Sequence, residues 1–108
     1  MHGYLFLIGA ILSEVCGTLA LRASEGFSRP LYAVVVVVGY CGAFALLSFA
    51  LQRGIPLGVA YGVWAAAGVA LVAVLSVPLF GDGLTGLQYC GLALVMVGVF
   101  AIEIGAAD

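Results

Sequence analysis

Glu14 is the acidic residue with the least expected position in this chain, because it lies in the middle of an apolar run between Tyr4 and Leu21. A run of that length can cross a lipid bilayer as a helix. An ionised carboxylate at the bilayer centre costs roughly 2.5–3.5 kcal/mol on insertion scales, so an acid in such a segment marks a candidate functional site. We therefore interpret Glu14 as the centre of a binding site.

Burial in apolar surroundings disfavours the charged form of a carboxyl group, so a proton and a cation would compete for Glu14. That competition couples cation movement to proton movement, as an antiporter requires. The alternative is that Glu14 pairs with an arginine. This is disfavoured because Arg22, Arg29 and Arg53 are all predicted near the membrane edges, about 10 Å or more away by helix rise.

Small and polar residues share the helix face of Glu14. Ala10, Gly17 and Thr18 lie three or four positions from it, which places them on the same side of a helix. Small side chains around an acid leave room for a ligand or for a closely packed helix. We include all three residues in the predicted site.

Aromatic side chains on two other segments are predicted to complete this site. Tyr40 and Phe44 are four apart, and Tyr61 and Trp64 are three apart. Trp64 lies well inside its apolar run, whereas tryptophan usually concentrates at the membrane interface. Aromatic rings beside a carboxylate suit a large organic cation. Ordinary packing would explain one ring, but Tyr61 and Trp64 together favour a site.

Composition places the whole chain in a membrane. The 108 residues are 66% hydrophobic and only 7% charged, with a mean hydropathy of +1.33, whereas soluble domains are about a quarter charged. Three basic residues and a net charge of −2 give no support for a nucleic-acid partner. The three cysteines are widely spaced, so we expect small apolar side chains packed between helices and no disulfide or metal site.

Four apolar segments are predicted to span the membrane as helices, at about 3–21, 31–51, 57–80 and 86–105. Each of the three breaks between them contains glycine, and the first two also contain proline, as is typical of turns. A lone spanning segment must be helical, because a strand would leave backbone groups without hydrogen bonds in lipid. The predicted fold is one all-α membrane domain over residues 1–108. It shows no nucleophile–base pair or metal-ligand cluster, so we predict neither an enzyme nor a cofactor.

Three features predict pairing with a second copy. Arginines are nearly balanced between the two sides, with Arg22 and Arg29 on one and Arg53 with the α-amine on the other, so insertion in both orientations is a hypothesis. Four helices cannot easily surround a drug-sized cavity and also close two gates. Gly91 and Gly98 line one face of the fourth helix, where either a second copy or another helix of the same chain can approach closely.

The chain resembles the small multidrug resistance family of transporters over almost its whole length. The resemblance rests on four-span length and on several motifs, each weak alone and specific in combination: AILSEVCGT at 10–18, SEGFSR at 24–29, GYCGAF at 39–44, IPLGVAYGVW at 55–64 and the glycines of the fourth helix.

This resemblance implies a proton-coupled antiporter of the bacterial plasma membrane. It implies an antiparallel homodimer that alternates access and exports quaternary ammonium or polyaromatic cations. Glu14 would take the family's essential acid position. The substrate-stacking tryptophan would be Trp64, and the binding-site tyrosines would be Tyr40 and Tyr61. The dimer contact would fall on Gly91, Val95 and Gly98, and the third helix would bend at Gly68.

Two alternatives remain within the resemblance. One is a guanidinium exporter, although that branch usually has tryptophan near position 16, where this chain has Cys16. The other is a partner subunit that acts in a heteromer or does not transport. Ala43 replaces a common serine, and alanines at 65–67 reduce the glycine content before Gly68, which should stiffen the third helix.

Overall fold

Four long helices joined by short turns make up the computed structural model, which describes residues 2–107. They are α1 (His2–Ala23), α2 (Pro30–Gln52), α3 (Leu57–Phe80) and α4 (Gly86–Ala107). Met1 and Asp108, the ends of the predicted domain, lie outside the described residues. The four predicted helices are confirmed, and the structure extends several of their ends by one or two residues.

All four helices are long and apolar enough to cross a membrane. The candidate spans are Gly3–Ala23, Pro30–Gln52, Leu57–Phe80 and Gly86–Gly105. Each helix holds its backbone hydrogen bonds within itself, which is the arrangement that lipid requires. The hydropathy of the sequence therefore accounts for the positions of the helices.

Local turn chemistry ends the helices sharply. The Ser24 hydroxyl donates to the carbonyl of Leu21 at 2.8 Å and accepts the backbone N–H of Phe27 at 3.1 Å. Gly26 and both of its neighbours have positive φ, so the chain reverses within a few residues. α2 then begins at Pro30, where the missing N–H leaves no helical hydrogen bond unmade. α3 ends at Phe80 and is capped by Gly81, whose φ of 73° suits glycine and whose N–H donates to the carbonyl of Val77.

α1 and α2 touch through their backbones. A β-carbon added to Gly39 would lie 2.9 Å from the α-carbon of Gly17, closer than real contacts permit. The Ser13 hydroxyl donates to the carbonyl of Gly39 across the same crossing, at 2.7 Å. Close backbone approach of this kind is typical of small residues at membrane helix interfaces.

The helices form a flat layer. The Cα envelope measures 46 × 34 × 16 Å, so it is about half as thick as it is wide, and α1, α2 and α3 contact one another within it. α4 packs along α3, and none of the residues in its span, Gly86–Gly105, is fully buried. The layer therefore leaves α4 uncovered along most of its surface.

An ion pair joins α1 to the turn between α3 and α4. The Arg22 guanidinium donates to both carboxylate oxygens of Asp82, at 2.9 and 3.3 Å, and lies 4.9 Å from the ring centre of Phe80. Both charged side chains are substantially exposed. The contact connects the end of α1 to the turn after α3 and places this arginine at the edge of the layer.

The prediction that the cysteines pack between the helices of the chain is wrong. Cys16, Cys41 and Cys90 are all exposed on its surface. The crossing of α1 and α2 is instead filled by glycine backbone and the Ser13 hydroxyl, which leaves no space there for a thiol.

Candidate functional site

Glu14 lies half-buried on α1 with one carboxylate oxygen bonded and the other free. Its Oε1 accepts a hydrogen bond from the Thr18 hydroxyl at 3.3 Å. Its Oε2 is buried and has no hydrogen-bond partner within the described part of the chain. An unpartnered buried carboxylate oxygen is costly, so it indicates a site for a proton or a cation.

Thr18 links this carboxylate to α2. Its hydroxyl lies 2.6 Å from the hydroxyl of Tyr40, and either oxygen can be the donor. Each hydroxyl has one proton to donate and can also accept. When Tyr40 donates to Thr18, the Thr18 proton points to Glu14, and the three groups form a continuous chain of hydrogen bonds.

α3 comes closest to the carboxylate at Gly68. A β-carbon at Gly68 would lie 2.5 Å from Oε2 of Glu14 and 3.2 Å from its carboxyl carbon. Glycine is thus the residue that makes room for the acid in its observed position. The predicted role of Gly68 as a bend in α3 stays a prediction, because α3 is helical from Leu57 to Phe80.

The arginines are engaged elsewhere. Arg22 pairs with Asp82, and the guanidinium of Arg29 lies 3.6 Å from the carboxylate of Glu25. Arg53 lies 5.5 Å from the ring centre of Phe6. These contacts agree with the expectation that the arginines stand near the ends of the helices, and they leave Glu14 without a cationic partner among them.

Two aromatic rings pack around Trp64, which lies one helical turn before Gly68 on the same face of α3. The ring centres of Phe44 and Tyr61 lie 5.3 and 5.6 Å from that of Trp64, in edge-to-face and tilted arrangements. Trp64 is 8% exposed, whereas Phe44 and Tyr61 are 58% and 55% exposed. The indole nitrogen of Trp64 is buried without a hydrogen-bond partner among the described residues. The cluster offers open ring faces beside an unused polar group.

The predicted aromatic residues are thus divided between two places. Phe44, Tyr61 and Trp64 come together, whereas the Tyr40 hydroxyl joins Thr18. Ala10 is fully buried in the core, and Gly17 is buried against the backbone of Gly39. These two small residues therefore serve helix packing in this chain, and their part in substrate binding stays a prediction.

The predicted dimer-contact residues lie apart from Glu14, on α4. Methyl groups added to Gly91 or Gly98 would meet no other atom of the described chain within 4 Å. Gly91 and Val95 line one wall of a mainly apolar groove of about 370 Å³ between α3 and α4, with Gln88 as a polar wall residue. The glycine face is thus not used for packing within the chain.

Ser13 is the site residue that sequence reasoning missed. Its hydroxyl joins α1 to α2 one position from Glu14, and the available signal was a serine next to an acid inside an apolar run. No group of three His, Cys, Asp or Glu side chains in the described ranges is placed to hold a metal ion.

Comparison with known proteins gives consistent matches along the chain. A protein-family model described as Small Multidrug Resistance protein matches residues 2–95. The chain is 43% identical over 103 residues to multidrug resistance protein EbrB of Bacillus licheniformis, a match that covers 95% of this chain and 86% of that protein.

Two relatives from Escherichia coli match over similar lengths. Quaternary ammonium compound-resistance protein QacE is 40% identical over 104 residues. Multidrug transporter EmrE of strain K12 is 39% identical over 104 residues. Each match covers 96% of this chain and 94% of the relative.

Proposed function

Because the chain belongs to the small multidrug resistance family of multi-pass plasma-membrane transporters, we propose that it exports quaternary ammonium and other hydrophobic cations in exchange for protons. In this proposal Glu14 binds either protons or the cation, and never both together. The names of QacE and EmrE support the substrate class. The proton exchange rests on the residues around Glu14.

The unpartnered oxygen of Glu14 is the observation that carries the proposal. Oε2 is buried, and no arginine of the chain pairs with it. A bound proton neutralises the carboxylate, and a bound cation compensates its charge, so either removes the cost of burial. Since one oxygen cannot serve both at once, arrival of a cation releases a proton.

The aromatic cluster supports a substrate with apolar groups around its charge. Phe44 and Tyr61 present exposed ring surface next to Trp64. Aromatic faces attract a cation by about 0.5–2 kcal/mol, more when water is excluded. A guanidinium ion is small and planar and carries no apolar substituents, so it would leave most of this apolar surface unused, which favours the larger cations.

Proton release tests the proposal directly. A tetraalkylammonium salt is added to purified protein in weakly buffered detergent, and the pH is followed together with the fluorescence of Trp64, the chain's single tryptophan. We expect saturable proton release that parallels the fluorescence change, and much smaller release with guanidinium. Binding without proton release would contradict the exchange, and release by guanidinium alone would assign the chain to guanidinium export.

We also propose that the working unit is an antiparallel homodimer. The flat layer of helices and the uncovered glycine face of α4 both support a second copy at this surface. Two copies would bring two Glu14 residues to one chamber. The near balance of arginines between the two ends supports insertion in both orientations.

Gly98→Val is expected to weaken this dimer, because the added branched side chain prevents close helix approach. The control is Ala93→Val on another face of α4, about 140° from Gly98 and about 200° from Gly91 in helix rotation. Dissociation is measured by energy transfer between labelled copies on dilution into detergent. Equal dissociation of the two variants would count against the α4 contact. Labelling of a C-terminal cysteine from one side only, in cells and with the native cysteines removed, would count against the antiparallel arrangement.

A further inference from the structure

The Ser13 hydroxyl makes a hydrogen bond that α2 does not need for its own folding. Oγ donates to the carbonyl of Gly39 at 2.7 Å, across 26 positions of sequence. Gly39 lies inside α2, where its carbonyl already accepts an N–H from the following turn. The bond from Ser13 is therefore an additional link between two helices, and it does not repair an unpaired backbone group.

Two glycines make the link possible. A β-carbon at Gly42 would lie 3.0 Å from the Ser13 oxygen, and one at Gly39 would lie 3.0 Å from the backbone oxygen of Ser13. Larger residues at either position would push α1 away from the hydroxyl. The hydroxyl is thus enclosed by α2 and has little freedom to choose another partner.

The same crossing sets the hydrogen bonds of Glu14. One turn beyond Ser13, the backbone of Gly17 rests on Gly39, and Thr18 meets Tyr40 at 2.6 Å. Thr18 is also the residue that bonds to Oε1 of Glu14. If α1 slid along α2, Thr18 and Tyr40 would separate and Thr18 would bond to Glu14 without its second partner.

We propose that Ser13 is a positioning residue for Glu14. Its bond to Gly39 fixes α1 against α2 so that Tyr40 holds Thr18, and Thr18 in turn occupies one carboxylate oxygen and leaves Oε2 for the proton or cation. This inference rests on the proposed function, because it assumes that Glu14 binds the proton or the cation. The residues observed next to the carboxylate, Thr18 on α1 and Gly68 on α3, and Tyr40 of α2 behind Thr18, include no cationic side chain.

The test is a double-mutant cycle between Ser13→Ala and Tyr40→Phe. Dissociation constants for a tetraalkylammonium ion are measured by Trp64 fluorescence at one pH. Ser13→Ala is expected to weaken binding by about threefold and at most about twentyfold, the range of single hydrogen bonds between membrane helices. The double variant should bind no more weakly than Tyr40→Phe alone, because Ser13 acts through the contact of Tyr40 with Thr18.

Ser76→Ala is the matched control. The Ser76 hydroxyl donates to Ala73 in its own helix at 2.7 Å, so its removal deletes a hydroxyl from a membrane span without touching a helix crossing. We expect wild-type binding for this variant. The positioning role would be overturned if Ser13→Ala bound the cation as tightly as Ser76→Ala. It would also be overturned if the effects of Ser13→Ala and Tyr40→Phe on the binding free energy simply added.

A second variant covers loss of folding. Ser13→Cys replaces the hydroxyl by a much weaker thiol donor in a side chain of similar shape, so it should still weaken binding. It replaces Ser13→Ala in the cycle if that variant does not give folded, monodisperse protein. The same two outcomes then decide the inference. Wild-type protein that binds no cation rejects the proposed function itself, whereas wild-type binding with an additive cycle rejects only the role of Ser13.

Discussion

Glu14→Gln is expected to abolish pH-dependent cation binding and drug-driven proton exchange. Glutamine has nearly the shape of glutamate but cannot ionise, so neither the proton nor the attraction for a cation remains. Two unit charges about 4 Å apart attract by about 4 kcal/mol at an effective dielectric constant of 20. Allowing for partial solvent screening, we expect the dissociation constant of a tetraalkylammonium ion to rise by roughly a hundredfold.

The affinity of the wild-type protein for the cation is expected to rise with pH. At acidic pH protons occupy Glu14 and the cation binds weakly; as the pH rises the carboxylate is freed and affinity increases to a plateau. Below the plateau, the apparent dissociation constant falls about tenfold per pH unit for each proton displaced. Titrations across pH in wild type and Glu14→Gln measure both slopes, and the variant's slope is expected to be zero.

Glu103→Gln is the control for this change. Glu103 is the other acid within the predicted spans, and the Tyr4 hydroxyl lies 3.5 Å from it near the end of the layer. The same chemical replacement there should leave the pH dependence of binding as in wild type. A slope that survives in Glu14→Gln and disappears in Glu103→Gln would move the proton site to α4.

The helices could be predicted from sequence because lipid allows few alternatives. A long apolar segment must satisfy its backbone internally, so hydropathy alone locates α1 to α4. The exact ends depend on local hydrogen bonds, such as those of Ser24, which hydropathy does not report. Extensions of one or two residues beyond the predicted ends follow from this.

The residues of the candidate site could be predicted from their types, but which of them contact one another could not. An acid and a tryptophan deep in apolar runs are unusual enough to stand out, and Glu14 and Trp64 were found in this way. That Tyr40 joins Thr18 and not Phe44 depends on how α1 crosses α2, which spacing along one helix does not define. The link from Ser13 to Gly39 was missed for the same reason.

Gly68→Ala is expected to lower transport by roughly tenfold to a hundredfold while leaving the fold intact. The added methyl would stand 2.5 Å from Oε2 of Glu14, so the carboxylate must leave its observed position. In binding sites, displacement of a key group by about 1 Å can cost as much as a hundredfold in function. Uptake of a fluorescent cation into vesicles, driven by a proton gradient, measures the effect.

Gly58→Ala is the matched control on the same helix, because a β-carbon there would meet no atom within 4 Å. Both replacements add one methyl group to α3. Gly58 stands in the first turn of the helix, so this variant controls for an added methyl group that makes no contact. Equal transport by the two variants would contradict a specific contact between Gly68 and Glu14.

Adding Glu14→Asp to Gly68→Ala distinguishes two explanations for the loss of transport, a collision with Glu14 and the loss of a bend at Gly68. Aspartate is one methylene shorter than glutamate, so it withdraws the carboxylate towards α1 and away from the new methyl group. If the loss arises from collision with Glu14, the variant carrying both Gly68→Ala and Glu14→Asp should transport better than Gly68→Ala alone. If Gly68 instead supplies the flexibility for a bend, the shorter acid cannot restore it, and the double variant should be at least as impaired as Gly68→Ala.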